Sequence, residues 1–172
     1  MLLPIAVTAV VLALPALVIA AAVRDALSFT IPNWIPLALV AVFPAAALAA
    51  GLPLPVFGLH VGVGVATLVL GMAMFALRWV GGGDAKLLAA VALWVGWPGV
   101  VTLILGAALA GGVLAGVLLA ARSAPLRPVM LMGPRWMLKL AEPGEGVPYG
   151  VAIAAGALWA IPASPFAAAL GL

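Results

Sequence analysis

The chain has 172 residues, of which 68% are hydrophobic and 6% charged, and its mean hydropathy is +1.41. Such a chain has too little polar surface to cover a water-soluble globule of this size, so its composition predicts a polytopic membrane protein. The net charge of +3 comes from basic residues in no dense cluster, which argues against nucleic-acid binding, and zero cysteines with one histidine argue against disulfides, a metal centre or another cofactor.

Apolar segments that could cross a membrane recur along the chain. A helix needs about 20 residues to cross a hydrocarbon core of about 30 Å. Most of the predicted segments reach that length, and they fall in this order: 2–23, 34–50, 56–80, 84–97, 98–121 and 148–172. The predicted fold class is therefore all-α, with six transmembrane helices in a single membrane-embedded domain over residues 1–172.

Two connections between the predicted spans stand out. In the short, mostly apolar connector 26–33, Pro32 disfavours helix, and Asn33 is expected to cap the helix that follows. Residues 122–147 form the extended polar region and are expected to be a cytoplasmic or interfacial loop. The acidic residues of this loop are interpreted as surface charges: Glu142 and Glu145.

The fourth segment is unusual in its length and in what precedes it. As a helix, residues 84–97 cover about 21 Å, which is less than the hydrocarbon core. The glycines 81–83 before Asp84 predict an irregular turn, because glycine permits strained backbone and close approach of another chain. Either the bilayer thins here, or Asp84 lies below the headgroup level, where neighbouring helices bury the irregular backbone.

Basic residues occur in alternate connections only. With six spans, the odd connections hold all of them: Arg24, Arg78, Lys86, Arg122, Arg127, Arg135 and Lys139. The positive-inside rule then places these connections in the cytoplasm and both termini outside. Asp25 and Asp84, the only aspartates in the chain, fall on this same side. We infer that they can form a pair on the cytoplasmic face.

Two neighbouring carboxylates could perform aspartic-protease chemistry. Both cannot ionise easily, so one keeps a proton while the other stays charged, and together they can position and activate a water. The helix dipole favours charge on Asp84 at a helix start, which points to Asp25 as the protonated partner. That assignment stays open, because coupled groups titrate as a pair. Lys86, two residues beyond Asp84, is expected to bias the local field.

Three motifs follow one another in the sequence. They are Asp25 followed by five residues and Ile31-Pro32-Asn33, then Gly81-x-Gly83-Asp84-Ala85-Lys86, and then Pro148-Tyr149-Gly150. Together they resemble the type IV prepilin peptidases, which belong to the GxGD class of intramembrane aspartic proteases. The resemblance covers essentially the whole chain and is closest to the short branch that serves tight-adherence (Flp) pili.

The resemblance implies a leader peptidase of the bacterial inner membrane. Asp25 and Asp84 are then the catalytic pair that cuts a prepilin leader at the cytoplasmic face, without a cofactor, and the active-site loop holds Gly81, Gly83 and Lys86. The remaining motif residues are substrate-contacting or structural: Ile31, Pro32, Asn33, Pro148, Tyr149 and Gly150. The expected partners are the prepilin and membrane lipid, and contact with the pilus assembly machinery stays open.

The chain also departs from the longer relatives. These carry a cytoplasmic domain with paired CxxC motifs and methylate the new pilin N-terminus. This chain has neither the cysteines nor the length, so we expect a peptidase without a methyltransferase domain.

A second class of function also fits intramembrane carboxylates. In a small ion- or proton-coupled transporter, the aspartates would be ion sites. Against this class, both acids lie at one cytoplasmic edge rather than near the midplane. Two simpler interpretations of the acids are a helix N-cap at Asp84 and an ion pair of Asp25 with Arg24.

Other residues are expected to serve the fold. Gly112 and Gly116 have the spacing that lets helices pack closely. His60 lies near the outer face, away from both aspartates, and is expected to be solvated or packed, without a function. Tyr149 is expected to be an interfacial aromatic at a helix start.

Overall fold

The fold was analysed in a computed structural model, which describes residues 2–123, Met132, Leu138 and 146–167. These residues form helices and no strand, which confirms the predicted all-α class for this part of the chain. The helices are α1 (Leu2–Val11), α2 (Ala13–Ser28), α3 (Trp34–Ala49), α4 (Leu54–Ala76), α5 (Gly82–Ala121) and α6 (Tyr149–Ala160), and a 3₁₀ turn follows at Ile161–Ala163. Most of the expected loop 122–147, including Glu142 and Glu145, lies outside the described residues.

The described helices have the lengths and composition of a membrane protein. Three helical segments are long and apolar enough to cross a bilayer: Val7–Ser28, Leu54–Ala76 and Gly82–Ala121. Two shorter apolar helices accompany them, Trp34–Ala49 and Tyr149–Ala163. α1 and α2 continue into one another, because Leu12 keeps right-handed helical backbone and its N–H donates to the carbonyl of Thr8.

α5 consists of two helical halves with a break between them. Gly96 has φ 60° and ψ −158°, and Trp97 has φ −100° and ψ 132°, so the backbone leaves the helix at both residues. Pro98, which has no N–H to donate, follows directly. The sequence predicted this division into two segments, but the first half begins at Gly82 rather than at Asp84.

The second half of α5 returns toward the start of the first half. A Cβ atom at Gly111 would lie 3.1 Å from the ring of Tyr149, and Tyr149 lines the same cleft as Asp84. An uninterrupted helix would separate positions 84 and 111 by about 40 Å, at 1.5 Å per residue. The break therefore reverses the chain and brings both halves to the same end of the bundle.

His60 of α4 packs into the break in α5. Its Nδ1 atom lies 2.8 Å from the carbonyl oxygen of Leu93, and because a carbonyl can only accept, Nδ1 carries the donated proton. Gly96 faces the ring so closely that any side chain there would overlap it. His60 is 3% exposed and stacks on Phe43, so it is a packed histidine rather than a solvated one.

α6 packs against the second half of α5 through glycines. A Cβ atom at Gly156 would lie 2.5 Å from the carbonyl oxygen of Leu103, and one at Gly106 would lie 2.8 Å from the Cα of Gly156. The predicted packing pair was wrong, because Cβ atoms at Gly112 and Gly116 would meet no described atom within 4 Å. The face of α5 that meets α6 carries Gly106 and Gly111, and Gly112 is rotated about 100° around the helix from Gly111.

Replacing Gly156 with alanine should destabilise the protein, because the added methyl meets fixed backbone. Overpacking of this kind costs about 1–3 kcal/mol. Gly112→Ala is the matched control and should not lower stability, since its methyl enters open space in a helix. Thermal unfolding of both variants in the same detergent tests the difference; equal melting temperatures would show that α5 and α6 do not approach as described.

Candidate active site

An open cleft lies where α2 and α4 end and α5 and α6 begin. Its volume is about 910 Å³. Asp25 and Asp84 both line it, together with the glycines 81–83, the segment 29–31 and Tyr149. Folding thus brings to one place the two acids that the sequence pattern paired.

Asp25 lies in the last turn of α2 and points into the bundle. Its side chain is 4% exposed, whereas the neighbouring Arg24 is exposed. Its Oδ2 atom accepts a hydrogen bond of 2.6 Å from the N–H of Gly150, in the first turn of α6. Because free N–H groups and the helix dipole favour an acid at this end of a helix, the partner of Asp25 is α6 rather than Arg24.

Gly150 is glycine because Asp25 approaches it closely. A Cβ atom there would lie 2.9 Å from both Cβ and Oδ2 of Asp25 and 2.9 Å from Cδ1 of Ile31. Pro148 occupies the N-cap position of α6, and Tyr149 is its first residue. The motif Pro148-Tyr149-Gly150 therefore starts α6 beside the buried aspartate, and within it Gly150 makes the contact.

Asp84 lies in the first turn of α5. The N-cap residue is Gly81, and its N–H donates to Oδ2 of Asp84 over 3.2 Å. The interpretation of Asp84 as the N-cap residue is thus wrong by three positions, although its carboxylate does cap the helix from within. A Cβ atom at Gly81 would lie 2.7 Å from that same oxygen, so a side chain there would displace the carboxylate.

Ile31 lies between the start of α5, which carries Asp84, and the start of α6, which binds Asp25. A Cβ atom at Gly83 would lie 3.2 Å from the Cβ of Ile31, whose other end contacts Gly150. Ile31 is 9% exposed. Its side chain therefore fills the space between α5 and α6, and it acts as a spacer that fixes how far apart Asp84 and Asp25 lie.

Asn33 and Lys86 bind each other outside this cleft. The Lys86 ammonium donates to Oδ1 of Asn33 over 2.9 Å, and neither residue lines the cleft. Asn33 does occupy the N-cap position of α3, but the expected side-chain cap is absent. A capping side chain accepts from the N–H of the second or third helical residue, here Ile35 or Pro36. The N–H of Ile35 already donates to the carbonyl of Pro32, and Pro36 has no N–H, so neither residue offers a donor to the side-chain amide of Asn33.

Sequence reasoning missed the residues that form the rim of the cleft. α4 ends at Ala76, four residues before the expected bound at 80, and Arg78 follows with φ 60°. The N–H of Trp79 reaches back to the carbonyl of Met74, as in a Schellman end. Arg78 and Trp79 then lie exposed beside the glycines, and Phe75 joins them. The sequence signal for these rim residues is their position directly before glycines 81–83.

The arrangement suits the binding of a water between two carboxylates. Each aspartate is fixed through its Oδ2 atom by a backbone N–H, and each faces the cleft. Within the described residues, no group of three or more histidine, cysteine, aspartate and glutamate side chains could hold a metal ion. The chemistry open to these side chains is proton transfer to and from a bound water or carbonyl.

Comparison with known proteins connects the cleft to one family. Residues 12–116, more than half of the chain, match the family model of the type IV leader peptidase family. This match includes Asp25, the segment around Ile31 and the run from Gly81 to Lys86, and it ends before α6. No curated protein and no solved structure matches the chain.

Replacing Asp25 with alanine should destabilise the protein relative to Asp25→Asn. Alanine leaves the buried N–H of Gly150 without an acceptor, which costs about 1–3 kcal/mol, whereas the asparagine amide oxygen can still accept. Thermal unfolding of the two variants tests this expectation. Equal stability of the alanine and asparagine variants would mean that the hydrogen bond to α6 does not hold Asp25.

Proposed function

The chain belongs to the type IV leader peptidase family, and we propose that it is a GxGD-type aspartic endopeptidase that removes the leader peptide from Flp-type prepilins. Asp25 and Asp84 are the proposed catalytic pair. One observation carries this proposal: two aspartates from distant helices line one cleft, and each is fixed by a backbone N–H.

The two carboxylates divide the chemistry between them. The ionised aspartate takes a proton from a water, which attacks the carbonyl carbon of the scissile peptide bond. The protonated aspartate donates its proton to the carbonyl oxygen, which gives a gem-diol. As the C–N bond breaks, the aspartate that took the water's proton passes it to the leaving amine, and the other aspartate takes a proton from the diol, which becomes the new carboxylic acid. Since Oδ2 of each aspartate accepts a backbone N–H, each Oδ1 atom is the one available for the water and the carbonyl.

The cleft fits an extended segment rather than a helix. Glycines 81–83 line it, and close approach of another chain is what glycine permits. Phe75 and Trp79 on the rim offer apolar surface to the residues that flank the cut. A helical substrate must therefore unwind locally before its carbonyl reaches the aspartates.

The proposed topology has six spans, with the cleft on the cytoplasmic side of the bacterial inner membrane. The reversal at Gly96 supports counting the two halves of α5 as separate spans. Arg24, Arg78 and Lys86 lie at the helix ends that surround the cleft, and the positive-inside rule favours the cytoplasm for that end. We propose a single peptidase domain that binds prepilin and membrane lipid and needs no cofactor.

Conservative changes at the four acidic residues of the chain test the catalytic pair. Asp25→Asn and Asp84→Asn should each reduce leader removal to background, because either change removes a carboxylate that must gain or lose a proton. Glu142→Gln and Glu145→Gln are the controls and should retain cleavage. In the assay, purified protein is incubated with candidate Flp-type prepilins and the products are identified by mass spectrometry. Full processing by either aspartate variant would contradict the proposal. Ion flux in liposomes without cleavage would favour the transporter alternative.

Two glycine variants test whether the position of Asp84 matters. Gly81→Ala places a methyl against the Oδ2 atom of Asp84 and should lower kcat/KM by about 100-fold, as a displacement near 1 Å can. Gly62→Ala, in α4 and outside the cleft lining, meets no described atom within 4 Å and should change kcat/KM by less than about threefold. Similar losses for both variants would argue against a specific role of Gly81.

A further inference from the structure

A second concavity lies on the flank of the bundle, away from the aspartates. This α3–α5 groove is bounded by α3, α4 and the first half of α5, and its volume is about 550 Å³. Nearly all of its lining is apolar, with exposed side chains such as Leu37, Val61 and Val65. The polar residues that line it are Asn33 and Lys86. They lie at the start of α3 and of α5, so the polar groups share one end of the groove.

Lys86 supplies a positive charge at that end. Its side chain is exposed, and its ammonium has three donors, of which one is used by Asn33. No acidic residue is among the described residues that line the groove. The groove is therefore an apolar channel with a cation at its head, where it can meet a negatively charged group.

The length of the groove fits the acyl chain of one bilayer leaflet. On α4 the lining runs from Phe57 to Leu68, about 16 Å at 1.5 Å per residue. That is about half of a hydrocarbon core of about 30 Å, whereas a transmembrane helix needs the full thickness. The groove therefore suits an acyl chain that starts from the polar end rather than a membrane-spanning helix.

We propose that the α3–α5 groove binds an anionic phospholipid, with the phosphate on Lys86 and an acyl chain along the groove. Basic pockets between helices at the cytoplasmic side of a membrane have the chemistry that anionic headgroups require. Binding has a structural consequence, because Lys86 and Asn33 join α5 to the segment that carries Ile31. A bound headgroup adds a further contact next to the spacer between α5, which carries Asp84, and α6, which binds Asp25.

Lipid retention by the purified full chain tests the site without reference to peptidase activity. The protein in detergent is titrated with phosphatidylglycerol or with phosphatidylcholine of the same acyl chains, and bound lipids are counted by native mass spectrometry. The native protein should retain phosphatidylglycerol more tightly. Lys86→Met, which keeps an apolar stem and removes the charge, should weaken phosphatidylglycerol binding about fivefold, to the level of phosphatidylcholine.

A second pair of variants tests whether the acyl chain lies in the groove. Val65→Trp fills the groove and should lower retention of both lipids, whereas Val69→Trp, an exposed position of the same helix outside the lining, should not. Equal retention of the two lipids by the native protein would overturn the proposal, as would an unchanged preference in Lys86→Met. If Val65→Trp left lipid retention intact while blocking capture of a hydrophobic helical peptide, the occupant would be a helix and the proposal wrong.

Discussion

The hydrogen bond from the N–H of Gly150 to Asp25 is the contact on which the cleft depends. It joins α2 to the start of α6 across 125 positions of the sequence, and both partners are buried. A carboxylate taken out of water is stabilised only if its oxygens find donors, and a helix N-terminus supplies unpaired N–H groups. The same bond that satisfies the buried acid therefore fixes where α6 begins and places its first residue, Tyr149, on the cleft.

Close backbone approach explains the remaining geometry of the site. Gly81 makes room for the carboxylate of Asp84, Gly83 for Ile31, and Gly150 for Asp25 together with Ile31. At each of these positions glycine is required because of the atoms that lie opposite it, and not because of a positive φ. Gly96, by contrast, is needed both for its φ of 60° and for the ring of His60 against it.

The sequence predicted the features that depend on local composition. Apolar runs and turn residues predicted most of the helices. The positions of the basic residues predicted that Asp25 and Asp84 lie on the same face of the membrane and can form a pair. Contacts between distant segments were not predictable in this way. The helix that packs on Gly106 and the lysine that donates to the amide of Asn33 both depend on which surface lies opposite. Residue spacing along one helix does not contain that information, which is why the close packing occurs at Gly106 and Gly111 and not at Gly112 and Gly116. Arg78 ends α4 with a positive φ although it is not glycine, so its residue type does not indicate the helix end.

The central claim is that Asp25 and Asp84 face each other across one cleft. Because the chain has no cysteine, pairs of introduced cysteines can measure this without background. The double variant Asp25→Cys/Asp84→Cys should be joined by a short bifunctional thiol reagent in native membranes, alongside Asn33→Cys/Lys86→Cys as an exposed pair whose native side chains are in contact. Cross-linking of the control pair without any cross-linking between positions 25 and 84 would contradict the account.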